Sequence, residues 1–411
     1  MKDKTRFMIT SHRLKIKLQK PNICKYFIAI WFVLLCRPIS IYYFVQDNIW
    51  NSIYTWSSRV IGIIAILLMI IYKEEKEKGI IWIFIITGSL LIATVVEKGT
   101  LRRWFTLFYP LIALCCLIVV QLRNVKKTEL FINAVSNVFF ILSFLNLMCI
   151  FYNIYMFGVD TYFIGLKNQI GYALNIGLLL MYMDAYIRKT KSKLYIYIVI
   201  YFVTVLKVAS SASFVGACII LLYFTIPFFK KSFKKIDFRF LLIMYICLFV
   251  GVVFFSTQVL NWEPVKYFIE NILGKNVTLT NRTVIWRKVI SEILQKPVWG
   301  HGIQESSNLF YIHIDFLSRA AVDGTYSAHN QILQTLYEGG IVTITLVFGL
   351  LWSLGKKIKK CDNEYVSSIC KLMLSVTLIM MLSESPGLDS LLVISAFTMI
   401  FVSKKEIWKE R

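Results

Sequence analysis

Apolar runs long enough to cross a bilayer recur along nearly the whole chain, and no other feature constrains its fold as strongly. A hydrocarbon core of about 30 Å takes about 20 residues of helix. The runs lie at 26–45, 57–72, 79–96, 104–122, 130–156, 165–187, 193–209, 213–229, 238–256, 339–354, 366–383 and 388–403. In lipid every backbone N–H and C=O must be satisfied within its own segment, so the expected fold is an all-α, polytopic transmembrane helix bundle of about 12 spans. With 57% hydrophobic and 15% aromatic residues, the composition excludes an ordinary soluble domain. Span 57–72 is short, and 130–156 is long enough to tilt or to include an interfacial turn.

The formal charge of +23 raises the question of a nucleic-acid partner, and its distribution answers it. Lys and Arg cluster in the N-terminal tail and in alternate connections: KEEKEK, RNVKK, RKTKSK, KKSFKK, GKKIKK and the final KKEIWKER. The intervening connections QDNIWNSIYTW, GVDTYFIG and ESPG contain neither residue. The positive-inside rule then places both termini in the cytoplasm of a multi-pass plasma-membrane protein. The charge sets topology and touches anionic lipid headgroups; no soluble domain carries a basic face for nucleic acid. The basic N-terminus, lacking a small-residue cleavage site, reads as an uncleaved first helix. The cysteines avoid the long external segment, so neither disulfides nor a Cys-based zinc site is expected.

This topology divides the chain into a basic tail (1–25), a bundle of nine spans (26–256), an extracytoplasmic loop (257–338), three further spans (339–403) and a second tail (404–411). The loop stands apart. At roughly eighty residues it far exceeds usual connections, and it is expected to be ordered and functional. It holds His301, His313 and His329, three of the four histidines. Within it LTNRTVIWRKVISEILQKP reads as an amphipathic helix, with Thr280 or Asn281 as N-cap and Ile285, Trp286, Val289, Ile290, Ile293 and Leu294 as its apolar stripe. Such a helix would lie in the interface, its basic face toward headgroups or a bound anion. In PVWGHGI, Gly300 and Gly302 permit a tight turn.

The succession NR-TVIW-RK, P-VWGHG-I and AHNQILQTLYEGGI resembles the external-loop region of the O-antigen ligase and Wzy-type polysaccharide polymerase family. The family positions fall here on Arg282, Trp286, Pro297, Gly300, Gly302, His329, Asn330, Glu338 and Gly339. GLKNQIGYALNIG, with Asn168, and VASSASFVGA also fit, except that the Arg often found beside that serine run is absent and Lys207 stands near it. The resemblance implies bacterial membrane glycosyltransferases that move a glycan from undecaprenyl diphosphate to a sugar hydroxyl on the outer face of the plasma membrane. It implies no cofactor. Lipid-linked glycan, membrane lipid and a chain-length regulator protein are the expected partners.

Transfer to a hydroxyl needs a proton acceptor, and neutral His suits that task near neutral pH. His329 is the candidate base. Its alternative role is to cap the helix that begins there. Arg pairs with phosphate in bidentate fashion, so Arg282 is the candidate for stabilising the departing diphosphate. Expected substrate-binding residues are Arg287, Asn330, Glu338, Gly300, Gly302, His301, Arg102, Arg103, Lys167 and Asn168. A polar stripe of Asn330, Gln334, Tyr337 and Glu338 would face the same way. Glu338 either orients the active His or shapes the start of the helix. Trp286 is expected as an interfacial anchor and His313 as a packing or surface residue. Arg37, Arg59 and Lys207 are further cations in the outer half of the bundle, and the histidine spacings match no zinc pattern. The expected function is polymerisation of lipid-linked repeat units into capsular or other surface polysaccharide. The alternatives are a ligase delivering the finished glycan to another acceptor, or a flippase or transporter, which would show related halves and no long external loop.

Overall fold

The computed structural model describes residues 26, 28–30, 47–71, 78–121, 125–152, 161–254, 262–272, 282–304 and 327–403. These residues form helices, with one isolated antiparallel bridge between Thr161 and Leu166. Four helical segments are long and apolar enough to cross a membrane: Leu101–Ile118, Lys127–Phe151, Ile170–Arg188 and Gln331–Lys359. A bent pair, Ser211–Thr225 with Pro227–Lys235, makes a fifth. Ile80–Val96, Phe238–Phe254 and Leu388–Ser403 are apolar but shorter. The described residues are therefore all-helical with several membrane-crossing candidates, and among them the expected count of twelve is met only in part. The expected first span, 26–45, falls almost wholly outside the described residues.

Ile170–Arg188 is the central helix. Apolar all round, it can be satisfied only by neighbours all round. It packs against Val125–Phe151, Ser192–Val208, Ser211–Thr225, Glu364–Met380 and Leu388–Ser403. Gly177 makes one of these approaches possible, because any side chain there would overlap the Tyr197 hydroxyl. That hydroxyl donates to Leu174 O at 3.2 Å, and Tyr201 Oη donates to Asn175 Oδ1 at 2.9 Å. Ile85, Ile92, Phe144, Val199, Leu206, Ile243 and Leu248 lie exposed on the outer helices, where lipid is the natural solvent.

Three boundaries differ from expectation. QDNIWNSIYTW is not a connection: from Asp47 onward it forms the first turns of the helix Asp47–Ile71, where an acidic residue suits the positive end of the helix dipole. The run at 213–229 breaks after Thr225 and turns by 101°, with Ile226 extended and Pro227 in the first turn of the next helix. Proline cannot donate into the preceding helix and crowds its last turn. The short helix Pro227–Lys235 is held at its far end by buried Lys371, which donates to the carbonyls of Phe233, Lys234 and Ile236 at 2.6, 3.0 and 2.7 Å. The run expected at 339–354 belongs to a longer helix, Gln331–Lys359, interrupted only at Gly340.

In the expected loop, Arg282–Gln295 is helical as anticipated. Ile285, Trp286 and Val289 are buried and Ile290 and Ile293 partly so, but Leu294 is exposed. The buried face lies on Gln331–Lys359. Trp286 is thus not an interfacial anchor but a core residue, 1% exposed. Thr280, Asn281, His313 and Arg37 lie outside the described residues.

Candidate functional site

The start of Gln331–Lys359 is fixed by side chains rather than by apolar contact alone. Asn330 is its N-cap, with extended backbone and with Oδ1 accepting from Leu333 N at 3.1 Å. The same amide donates to Leu382 O at 2.9 Å. Gln331 N donates to Met381 O at 3.0 Å, and Gln331 Oε1 accepts from Gly387 N at 3.1 Å. These bonds bring the short connection between Glu364–Met380 and Leu388–Ser403 against the helix start. With Asn330 in the cap, His329 is not the capping residue. Its backbone sits at φ +45°, a left-handed conformation that L side chains rarely adopt.

That placement turns His329 toward the connection, and Nδ1 lies 3.4 Å from Glu384 Oε2. The other carboxylate oxygen, Oε1, accepts from Arg282 Nη2. Side-chain exposure is 8% for Glu384, 18% for Arg282 and 30% for His329, so the carboxylate is the innermost member. A carboxylate so enclosed is tolerable because cationic and polar donors surround it. Arg282 is held in place through Trp286, one turn along the same helix face, whose Nε1 donates to Ala328 O at 3.1 Å. One helix, one cap and one connection therefore converge on Glu384, between Arg282 and His329.

Glu338 does not orient His329. Nine residues along a helix amount to about 13 Å, which removes it from direct contact. It accepts instead from Gln334 Nε2 at 2.7 Å, and Gln334 Oε1 in turn accepts from Ala328 N at 2.9 Å. The expected stripe thus exists in part as a hydrogen-bonded brace behind the His. Asn330, expected to bind substrate, is wholly buried and spends its amide on the cap and on Leu382.

The glycines form a second junction. Gly340 interrupts the helix at φ +61°, and a side chain there would run into Val298 O. Its break frees backbone groups that the turn after Pro297 then satisfies: Ile341 N donates to Pro297 O at 2.8 Å, and His301 N to Tyr337 O at 2.7 Å. Gly300 and Gly302, at φ +68° and +69°, make the turn. A Cβ on Gly300 would lie 2.5 Å from Tyr337 O, and one on Gly302 2.7 Å from Thr94 Cα. His301 stacks on Tyr337 at 4.5 Å, and its Nε2 lies 3.0 Å from Glu292 O. These three residues build the turn, and the described contacts give them no role facing the triad.

The cations expected at the outer rim are dispersed. Arg103 Nη1 donates to Gln304 O at 2.7 Å, tying the turn to the helix Leu101–Gln121. Arg102 and Arg287 are exposed, and Lys167 and Asn168 are partly exposed just before Ile170–Arg188. Arg59 lies over Trp56 at 5.3 Å and Lys207 over Phe151 at 5.9 Å. Among the described residues no group of three His, Cys, Asp or Glu is placed to hold a metal ion.

Residues 196–348 match the family described as O-antigen ligase. The resemblance carried by the motifs therefore holds. The O-antigen ligase match contains Arg282 and His329 and ends before Glu384. A protein of Rickettsia conorii described as a polysaccharide ligase is 27% identical over 188 residues, 44% of this chain. The chain spans 43% of that relative's length.

Glu384 is the residue that sequence reasoning missed. Its signal was present: it is the one acidic residue of ESPG, a connection without Lys or Arg, two residues before Pro386. Nothing local says that this carboxylate meets a His 55 residues earlier and an Arg 102 residues earlier.

Proposed function

We propose that this multi-pass membrane protein transfers a glycan from a lipid diphosphate carrier to a sugar hydroxyl, and that it does so repeatedly, as a polymerase of surface-polysaccharide repeat units. The observation that carries this reading is the Arg282–Glu384–His329 triad at the start of a long apolar helix. The Glu384 carboxylate faces Nδ1 of His329, which leaves Nε2 as the nitrogen for an incoming hydroxyl. As the hydroxyl oxygen bonds to the anomeric carbon, its proton passes to Nε2, and the bond from that carbon to the diphosphate oxygen breaks. The electron pair leaves with the diphosphate. Arg282, ion-paired through one terminal nitrogen, steadies the developing charge with its remaining N–H groups.

A ligase that delivers a finished glycan to a different acceptor is the second reading, favoured by the description of the matched family and of the Rickettsia relative. One assay separates the two. Purified protein in nanodiscs, given a defined lipid-linked repeat unit alone, yields a ladder of products if it polymerises. A ligase leaves the donor unextended until a second acceptor is added, and no transfer under either condition overturns both readings.

A further inference from the structure

A cavity of about 260 Å³ opens beside the triad, between Leu101–Gln121, Val125–Phe151, Ile170–Arg188 and Leu388–Ser403. Its lining is graded along these helices. Gln169, Tyr172 and Asp389 stand at the ends of the helices nearest Glu384, whereas Leu142, Ile176 and Val393 lie deeper in the bundle. The cavity adjoins the triad through the chain: Tyr172 lines it, and so does Pro386, two residues beyond Glu384. Tyr172 is 2% exposed and its hydroxyl has no hydrogen-bond partner among the described residues, an unfavourable condition for a buried donor. No side chain of the triad lines the cavity. What it could hold is a separate question.

The geometry points to a sugar subsite: we propose that this cavity receives one pyranose ring of the glycan being transferred or extended and selects for a ring bearing an apolar substituent. The proposal rests on the glycan-transfer reading above. The volume suits a single ring rather than a chain. A carboxylate, an amide and a phenol at the mouth offer both acceptors and donors to ring hydroxyls. A carboxylate there also disfavours a diphosphate, which belongs beside Arg282. The deeper wall is formed by Leu142, Ile176 and Val393, and the one hydroxyl beside them, Ser143, already donates to Tyr197 Oη at 3.2 Å, so an acetamido methyl or a 6-deoxy carbon fits it better than a further hydroxyl. Pockets with apolar walls and few directed polar groups discriminate in this way.

The test is direct binding, independent of turnover. Purified protein in nanodiscs is titrated with methyl glycosides of N-acetylglucosamine, rhamnose and glucose, and contact is read by saturation-transfer NMR. The wild type should receive its strongest transfer at the acetamido methyl or the 6-deoxy methyl. Ala173→Trp, which fills the cavity from a lining position, should abolish it. Asp389→Asn keeps a helix-start side chain but loses the charged acceptor, and should weaken binding about tenfold, the worth of one good hydrogen bond. His329→Gln should bind as the wild type does while failing to transfer. No saturation at any glycoside, or signals unchanged in Ala173→Trp, overturns the subsite. If binding follows the predicted pattern but no lipid-linked glycan is ever transferred, the subsite stands and the transferase reading falls.

Discussion

His329 and Glu384 meet across 55 residues of chain, Nδ1 to Oε2 at 3.4 Å, although neither lies in a segment that shows the other's presence. The meeting is enforced by backbone. The Asn330 cap and the bond from Gln331 N to Met381 O fasten the two segments, and the left-handed φ of His329 turns its ring to the carboxylate.

His329→Asn separates the chemical role from the structural one. Asn adopts the left-handed conformation more readily than His, so thermal unfolding in detergent should be unchanged or slightly later. Transfer should fall about 10²–10⁴-fold, the usual cost of losing a general base. Near-normal product from purified protein would remove His329 from the chemistry.

Glu384→Gln keeps the shape and one acceptor while losing the charge. Activity should drop about 10–100-fold, as for other partners that orient a working His. Glu384→Ala should also loosen Arg282, so that hydrogen exchange in Arg282–Gln295 rises. Exchange in Glu384→Ala equal to that of the wild type would mean that the ion pair does not hold that helix.

Asn330→Ala removes the cap and should cost about 0.5–2 kcal/mol. Asn330→Asp retains the acceptor for Leu333 N but loses the donor to Leu382 O. It should therefore recover helix stability without recovering full transfer. Identical stability of the alanine and aspartate variants would show that the cap contributes nothing measurable.

Gly340→Ala places a side chain where Val298 O already sits and forces an L residue to φ +61°. The backbone penalty alone is about 1–3 kcal/mol. A lower melting temperature and faster protease cleavage near 297–304 are expected. Cleavage at the wild-type rate would show that the turn does not depend on the break.

How much of this was readable beforehand follows from the range of each interaction. Helices are local, so the apolar runs, the stripe on Arg282–Gln295 and the glycine turn could be inferred from spacing. The bend at Pro227 was also local, but hydropathy averaged across it. Pairing is not local. Glu338 was nearer to His329 in sequence than Glu384, yet helix geometry carried it away while the cap brought Glu384 in. Trp286 looked suited to an interface because its neighbours are basic, and only the fold shows Ala328 O waiting for its indole.

The break at Gly340 has a consequence for how such a chain can vary. The turn after Pro297 is stitched to the long helix by main-chain groups, from Ile341 to Pro297 and from His301 to Tyr337. Amide bonds of this kind carry no side-chain code. Val298 and Trp299 can therefore be rewritten while the seam holds, whereas Gly300, Gly302 and Gly340 cannot. Two chains with little recognisable identity in this segment could still be sewn along the same line.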